Sequence, residues 1–532
     1  MSEHLGIVVA GSLNKGVEVK LDPLASVEDM AVGCYVTIAG KKRRFFGMIT
    51  DISLAVTDEA LTANPPDVGD TFLTEVLTGS VTYGALHVLP MLTMDVSSGL
   101  QPVKTVPSHF SRVSLAEEQD MELIFGKEEG GNFWIGSPLD METRLCLNLE
   151  EFAKRSNGIF GKSGTGKTFL TRILLIGMLQ KSKAVNLVFD MHNEYGWTGT
   201  SESGSGTVKG LKQMGMIQSR VAVFTLDEKN TRLRGASPDF VVRIGCNEIE
   251  PEDIAILRET LNLTDLAVEA AYSLRRRYGK SWIKEAINLT DAEQTGALLD
   301  SLKIHEATFQ NLQRGLNTIK RLPFIEDESR SNAVEVILSY LDKGTSVVLE
   351  FGRHQNIVEY ILVANLLSRR IYNQYRERTE KAIGDNSSKP RPLVITIEEA
   401  HKFLSPQLAN QTIFGTIARE MRKYNVSLLV IDQRPSGIDE EVMSQLGTKI
   451  TCLLDNERDV DSVLAGVSGK SELRSVLARL AAKQQALIFG HAVPMPVAFR
   501  PRDYGTAESY LEFAPGKENE KALDKEFEKL WE

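Results

Sequence analysis

The sequence predicts an α/β protein: a largely parallel, two-sided sheet built around a phosphate-binding loop, with a β-rich N-terminal unit and a helical insertion. Three observations carry that expectation. Gly161-Lys162-Ser163-Gly164-Thr165-Gly166-Lys167-Thr168 has the spacing G-x-x-x-x-G-K-[ST]. From residue 185 onward, apolar runs of strand length alternate with helical segments. Residues 1–112 instead hold short strand-like runs separated by Gly, Pro and Asp, the pattern of a small barrel or sandwich.

The N-terminal runs lie at 6–9, 16–19, 34–38, 44–49 and 86–89. Lys41-Lys42-Arg43-Arg44 falls at a hairpin turn and reads first as a solvated turn that blunts a strand edge, with a nucleic-acid or partner contact as the alternative. Residues 113–156 form a bridge with strands expected at 132–136 and 145–149. Residues 157–160 make a short strand ahead of the loop. Behind it, Leu170, Ile173, Leu174 and Met178 keep helical spacing over 169–179. A buried-type strand at 185–190 ends in Asp190 and is followed by Met191-His192-Asn193-Glu194-Tyr195-Gly196; the stretch 198–207 is a Gly/Ser-rich loop.

Residues 231–330 turn helical, most plainly at 253–261, 266–278 and 309–321, and carry no recognisable chemistry. Arg275-Arg276-Arg277 reads as a solvated helix face rather than a phosphate contact. Strands resume at 345–351, 393–397, 427–431, 449–454 and 486–489, with helices at 358–374 and 411–423 between them and a polar loop at 380–392. The tail 517–532 sets Leu523, Phe527, Leu530 and Trp531 on one helical stripe, suited to bracing its own subunit or a neighbour. The expected domains are a barrel at 1–112, the α/β core at 113–500 with its insertion at 231–330, and a C-terminal brace at 501–532.

Composition sets the outer bounds. A chain of 532 residues, 42% hydrophobic and 25% charged, is a soluble globular protein of two to four domains. Apolar runs stay short of the ~18 residues of a membrane span, and Met1-Ser2-Glu3-His4 starts no secretory signal, so a cytoplasmic location is expected. Cys34, Cys146, Cys246 and Cys452 are too scattered for a metal site or a disulfide framework. The net charge of −10 argues against a surface coated for nucleic acid. It leaves room for DNA in a channel, which needs only a local basic ring.

The loop residues Gly161 to Thr168 would close backbone N–H groups around phosphates at a helix N-terminus. Lys167 would reach the β- and γ-phosphates of ATP, and the Thr168 hydroxyl would ligate Mg²⁺. The strand 393–397 ends in Glu398 and Glu399. Such an acid pair beside a phosphate loop lets one carboxylate hold the Mg²⁺ shell and the next polarise the attacking water; Glu398 is assigned the first task and Glu399 the second. Gln433, at the end of the next strand, can hydrogen-bond the γ-phosphate or the water. At the end of helix 411–423, Arg422, with Arg419 second, can reach a neighbouring subunit's nucleotide as a finger.

Taken together, Gly161 to Thr168, Phe189-Asp190-Met191-His192-Asn193-Glu194-Tyr195-Gly196, Glu398-Glu399-Ala400-His401, Ala418 to Tyr424 and Asp432-Gln433-Arg434-Pro435 resemble, in order, the motifs of HerA-type ATPases of the HerA/FtsK superfamily. The segment from Gln485 to Pro496 is similar to that family's end, and the β-rich N-terminus to its HAS barrel. The resemblance implies a RecA-like core, a homohexameric ring, ATP hydrolysis at subunit interfaces and translocation on double-stranded DNA through a central pore. It also implies a partner: a NurA-type nuclease, or an effector such as a sirtuin-like protein in antiphage defence. Glu398 stands where many phosphate-loop ATPases carry Asp. A reading of another class is a nucleotide-controlled ring scaffold that assembles and activates an effector without translocating; a conjugation or secretion pump is a third.

Overall fold

The computed structural model describes residues 4–513 except 64, 66–71, 73–75, 79–80, 96–98, 140, 183, 201–205, 330, 355, 386–388, 421–422 and 468. Two sheets organise the chain. The first comprises β1 (His4–Ser12), β2 (Gly16–Leu21), β3 (Tyr35–Ala39), β4 (Arg44–Val56), β5 (Thr82–Asp95), β6 (Gly99–Pro102) and β7 (Arg112–Leu115). Antiparallel pairing runs β2-β1-β7-β3-β4-β5, and β5 pairs back to β2. Six strands therefore close into a barrel, with β6 attached to β5. Closure removes the free edges that a sandwich would have to protect. Register shifts at Val9 in β1, Thr50 in β4 and Met91 in β5 supply the bends. Leu5, Val8, Val17, Val19, Val36, Ile38, Leu86 and Val88 fill a core of its own inside.

The basic cluster sits in the β3–β4 turn, as expected. Arg43 pairs with Asp95 at 3.5 Å, and Arg44 pairs with the buried Asp120 at 2.7 Å. Asp120 also caps the helix Glu118–Phe125 that leads out of the barrel. The barrel docks on the core through Tyr35, whose hydroxyl accepts the Ala498 N–H at 2.9 Å.

The core sheet has twelve strands. In chain order they are β8 (Asn132–Pro138), β9 (Leu145–Asn148), β10 (Asn157–Phe160), β11 (Val185–Asp190), β12 (Val221–Thr225), β13 (Phe240–Val241), β14 (Ser346–Glu350), β15 (Leu393–Glu398), β16 (Val426–Asp432), β17 (Thr448–Cys452), β18 (Ala486–Gly490) and β19 (Val497–Pro501). Their spatial order is β13-β12-β14-β11-β15-β16-β10-β17-β18-β19-β8-β9. The eight strands from β13 to β17 pair in parallel, and the last four extend the sheet antiparallel. Strands β11, β14, β15 and β16 are buried along their whole length, which is why they read as near-continuous apolar runs.

Three strands of this sheet escaped the sequence reading, among them the two-residue β13 inside the stretch read as helical. β12 is a plain β-branched run, Val221-Ala222-Val223-Phe224-Thr225, overlooked beside the Gly/Ser stretch before it; β19 joins the antiparallel extension. The helix expected at 253–261 is Pro251–Ile256, started by proline at its first turn. Helices Asp265–Tyr278, Trp282–Asn288, Ala292–Leu302 and Glu306–Lys320 follow. Arg275 is taken by Glu250 at 2.6 Å, which sets it against the phosphate alternative. Arg369 on Asp253 (2.7 Å) and Arg370 on Glu248 (2.8 Å) bind this unit to the long helix Ile357–Gly384.

At the C-terminus, helix Ala507–Glu512 folds back on the chain's own core. The Phe513 ring stacks on Phe133 at 6.3 Å, and the Arg502 guanidinium lies 3.9 Å from the Phe513 ring. The apolar stripe at 517–532 lies outside the described residues. Among the described residues no helix is long and apolar enough to cross a membrane. None of the four cysteines is in a disulfide, and three of them are buried.

Candidate active site

β11, β15, β16 and β10 lie side by side and end on the same edge, where open α/β sheets place their ligands. The phosphate loop follows β10. Gly164 and Gly166 hold φ of 77° and 95°, the left-handed region that side chains avoid. A Cβ on Gly161 would come within 2.7 Å of the Cys452 Cβ. The loop is pinned to both neighbouring strands: Gly161 N–H donates to Asp432 O at 3.3 Å, and Lys162 N–H donates to Leu453 O at 3.0 Å. The Lys162 ammonium bonds the exposed Asp455 at 2.9 Å. The following helix, Lys167–Lys181, is buried without interruption from Leu170 to Leu179, so the loop sits on a rigid rod. Its first turn carries no acid, which leaves the positive end of its dipole for an anion.

A cavity of about 400 Å³ opens above the loop. Ser163, Gly164, Gly166, Lys167 and Thr168 form one wall; Glu398, Glu399, Asp432 and Gln433 form the other. The fold thus brings the predicted phosphate loop, acid pair and glutamine into one pocket. Lys167 Nζ donates to Lys162 O at 2.7 Å, and burial pulls its pKa below the usual lysine range against the attraction of nearby acids.

Glu398 is buried, and its Oε1 accepts the Tyr195 hydroxyl at 2.8 Å. Burial, with Asp190 close by, pushes its carboxyl up to about 8, while the Tyr195 bond pulls the other way. Its Oε2 has no hydrogen-bond partner. Tyr360 clasps the backbone of the same residue, donating to its carbonyl and accepting its N–H, both at 3.1 Å. Glu399 is different. It holds φ of 49°, a conformation that costs about 1 kcal/mol or more outside glycine. The turn is stapled onto β16: Ala400 N–H donates to Ile431 O at 3.3 Å, and His401 N–H donates to buried Asp432 Oδ2 at 2.6 Å. Asp432 also holds the His401 ring at 3.0 Å and raises its pKa. The turn swings the Glu399 carboxylate into the pocket, where its Oε1 accepts from Gln433 Nε2 at 2.7 Å.

His192 and Glu194 also line the cavity, and neither was assigned a role from sequence. Their loop is built by Asp190, which is fully buried and accepts N–H groups from Glu194, Tyr195 and Gly196 at 2.8, 2.8 and 3.3 Å. Buried Arg172, on the phosphate-loop helix, donates from Nε to Glu194 O at 3.0 Å. A strand ending in Asp followed by Asn-Glu-Tyr-Gly was the available signal: short-range N–H acceptance by Asp at a strand end makes a tight turn. Arg422 lies outside the described residues. Arg419 is half-buried, donating to Ala409 O at 3.5 Å, with Glu441 at 3.9 Å.

A parallel sheet with its phosphate loop, acid pair and polar strand ends on one edge defines a P-loop ATPase fold of RecA-like build. Residues 133–371 match the central domain of the HerA helicase family. Two similar proteins are named DNA double-strand break repair helicase HerA. The one from Pyrococcus furiosus is 25% identical, over 72% of this chain and 71% of its own. The one from Sulfolobus acidocaldarius is 25% identical, over 75% and 74%. A solved structure of the bacterial conjugative coupling protein TrwB is 12% identical, covers 74% of this chain and 93% of its own, and superposes with a TM-score of 0.46. Over those spans the chain is similar to HerA-type helicases.

Proposed function

We propose that this chain is an ATP-hydrolysing, hexameric DNA translocase that works with a nuclease or other effector in DNA end processing or antiphage defence. The observation that carries this reading is the single pocket joining Lys167 and Thr168 to Glu399 and Gln433, together with the names of the similar proteins. Lys167 leaves its loop carbonyl for the β- and γ-phosphate oxygens. Glu399 takes a proton from the water that attacks the γ-phosphorus as the bond to the bridging oxygen of ADP breaks.

The residues fit a hydrated Mg²⁺: the Thr168 hydroxyl lines the same pocket as Glu398, whose buried Oε2 lacks a partner. Thr168 would hold the ion directly and Glu398 through its water shell, and the bound ion would neutralise developing charge on the phosphate oxygens. Among the described residues no cluster of three or more potential ligands encloses a metal, as suits an ion held largely by substrate and water.

Arg422 is proposed as the finger that a neighbour lends to the site. Arg422→Ala lowers hydrolysis on the order of 100-fold while ATP binding stays near wild type. Doping the variant into wild-type rings suppresses turnover more steeply than its mole fraction; strictly proportional loss refutes action in trans. Arg353, exposed in the loop after β14, is proposed for the DNA path. Its backbone N–H donates to Asp227 Oδ2 at 3.4 Å, and its exposed side chain has no hydrogen bond or ion pair among the described residues. Arg353→Glu weakens DNA stimulation of the ATPase by about 10-fold and flattens its salt dependence. Unchanged stimulation and salt slope move the DNA path elsewhere.

A further inference from the structure

Gln433 and Glu399 are bonded to each other. Gln433 Nε2 donates to Glu399 Oε1 at 2.7 Å, while the other carboxylate oxygen lies 3.8 Å from His401 Nδ1. The amide thus covers one of the two oxygens that would accept a proton from water. Lys167 is in a matching condition, with its ammonium turned onto its own loop carbonyl. Both reactive side chains are satisfied by contacts within the subunit. We infer that Gln433 is a restraint as well as a sensor: it holds Glu399 out of action until a γ-phosphate draws the amide away. This rests on the assignment of Glu399 as the water-activating group.

The geometry suits a switch rather than a fixed support. Gln433 is exposed, and its side chain has no other bonded partner among the described residues that would fix it against Glu399. Glu399, by contrast, has its backbone set by the staple from β16 through Ala400 and His401. Glu399 therefore keeps its place when the amide leaves. The γ-phosphate offers the amide a charged acceptor within the same pocket, so exchange trades one charge-assisted hydrogen bond for another. The exchange is therefore close to balance: without DNA the amide of an ATP-bound site rests mostly on Glu399, so ATP alone frees a minor fraction of sites and ADP frees none. Gln433 is a positioning residue in this account, acting through Glu399.

The test uses the full chain as wild type, Gln433→Ala, Glu399→Gln and the double variant, with steady-state ATP hydrolysis measured with and without saturating duplex DNA. The expected result for Gln433→Ala is a DNA-independent kcat raised on the order of 10-fold, a KM for ATP within about 2-fold of wild type, and a smaller stimulation by DNA. Glu399→Gln and the double variant should be equally inactive, since the restraint acts only through that carboxylate. A DNA-independent kcat for Gln433→Ala at or below wild type overturns the restraint while leaving Glu399 as the base. Near-normal turnover by Glu399→Gln overturns the assignment of the base, and the restraint with it.

Discussion

Lys167→Ala is expected to remove ATP hydrolysis, by about 1,000-fold or more, and to weaken nucleotide binding, while the protein stays folded. The ammonium is the cation nearest to where β- and γ-phosphates would lie, at the N-terminus of a helix that already favours anions. Among the described residues its only hydrogen bond is to Lys162 O, which also accepts the Thr165 hydroxyl at 2.8 Å, so removing it costs the loop one hydrogen bond and leaves the carbonyl partnered. That cost is small against the continuous burial of Leu170 to Leu179 behind it. Equilibrium binding of a fluorescent ATP analogue and thermal melting, measured side by side, separate the two effects. A variant that melts like wild type and does not hydrolyse ATP agrees with the role; retained turnover refutes it.

Glu399→Gln is expected to retain ATP and lose turnover by about 1,000-fold, the scale of a lost general base. The substitution keeps size and shape, so the left-handed turn and its staples from β16 persist. The amide cannot accept the proton from water. Glu398→Gln should behave differently. Glu398 is buried with a raised pKa, and Tyr195 donates to it. Its effect is expected chiefly on the Mg²⁺ requirement, and a chelation titration of the ATPase shows it.

Much of this was legible in the sequence because its signals are local. The phosphate loop is eight contiguous residues with fixed glycines. β15 and β16 are near-continuous apolar runs that end in acidic side chains, as parallel strands buried on both faces tend to read. The strand runs alone fit a barrel or a sandwich, and the resemblance to the HAS barrel chose between them; closure itself depends on β2 meeting β5, a pairing between residues about 70 apart in the chain. The parts that escaped are those made by tertiary contact. Nothing local says that Tyr195 reaches Glu398, 203 residues away, or that Tyr360 clasps its backbone. The left-handed conformation at Glu399 is likewise set by β16, not by the Glu-Glu pair itself. The Asp190 turn was visible as a motif, but its role in carrying His192 and Glu194 into the pocket required the fold.

The basic clusters teach a related lesson. Arg44 and Arg275 are spent on Asp120 and Glu250. Charge runs read as surfaces in sequence, and half-buried arginines often serve to lock elements together.

The most direct test of the central claim is the rate of ATP hydrolysis by the full chain as duplex DNA is added at low ionic strength, where electrostatic DNA binding is strongest. The account predicts a rate that rises to a plateau, falls back as salt is raised, and vanishes in Glu399→Gln. A rate that does not respond to DNA under those conditions contradicts it and leaves the ring-scaffold reading.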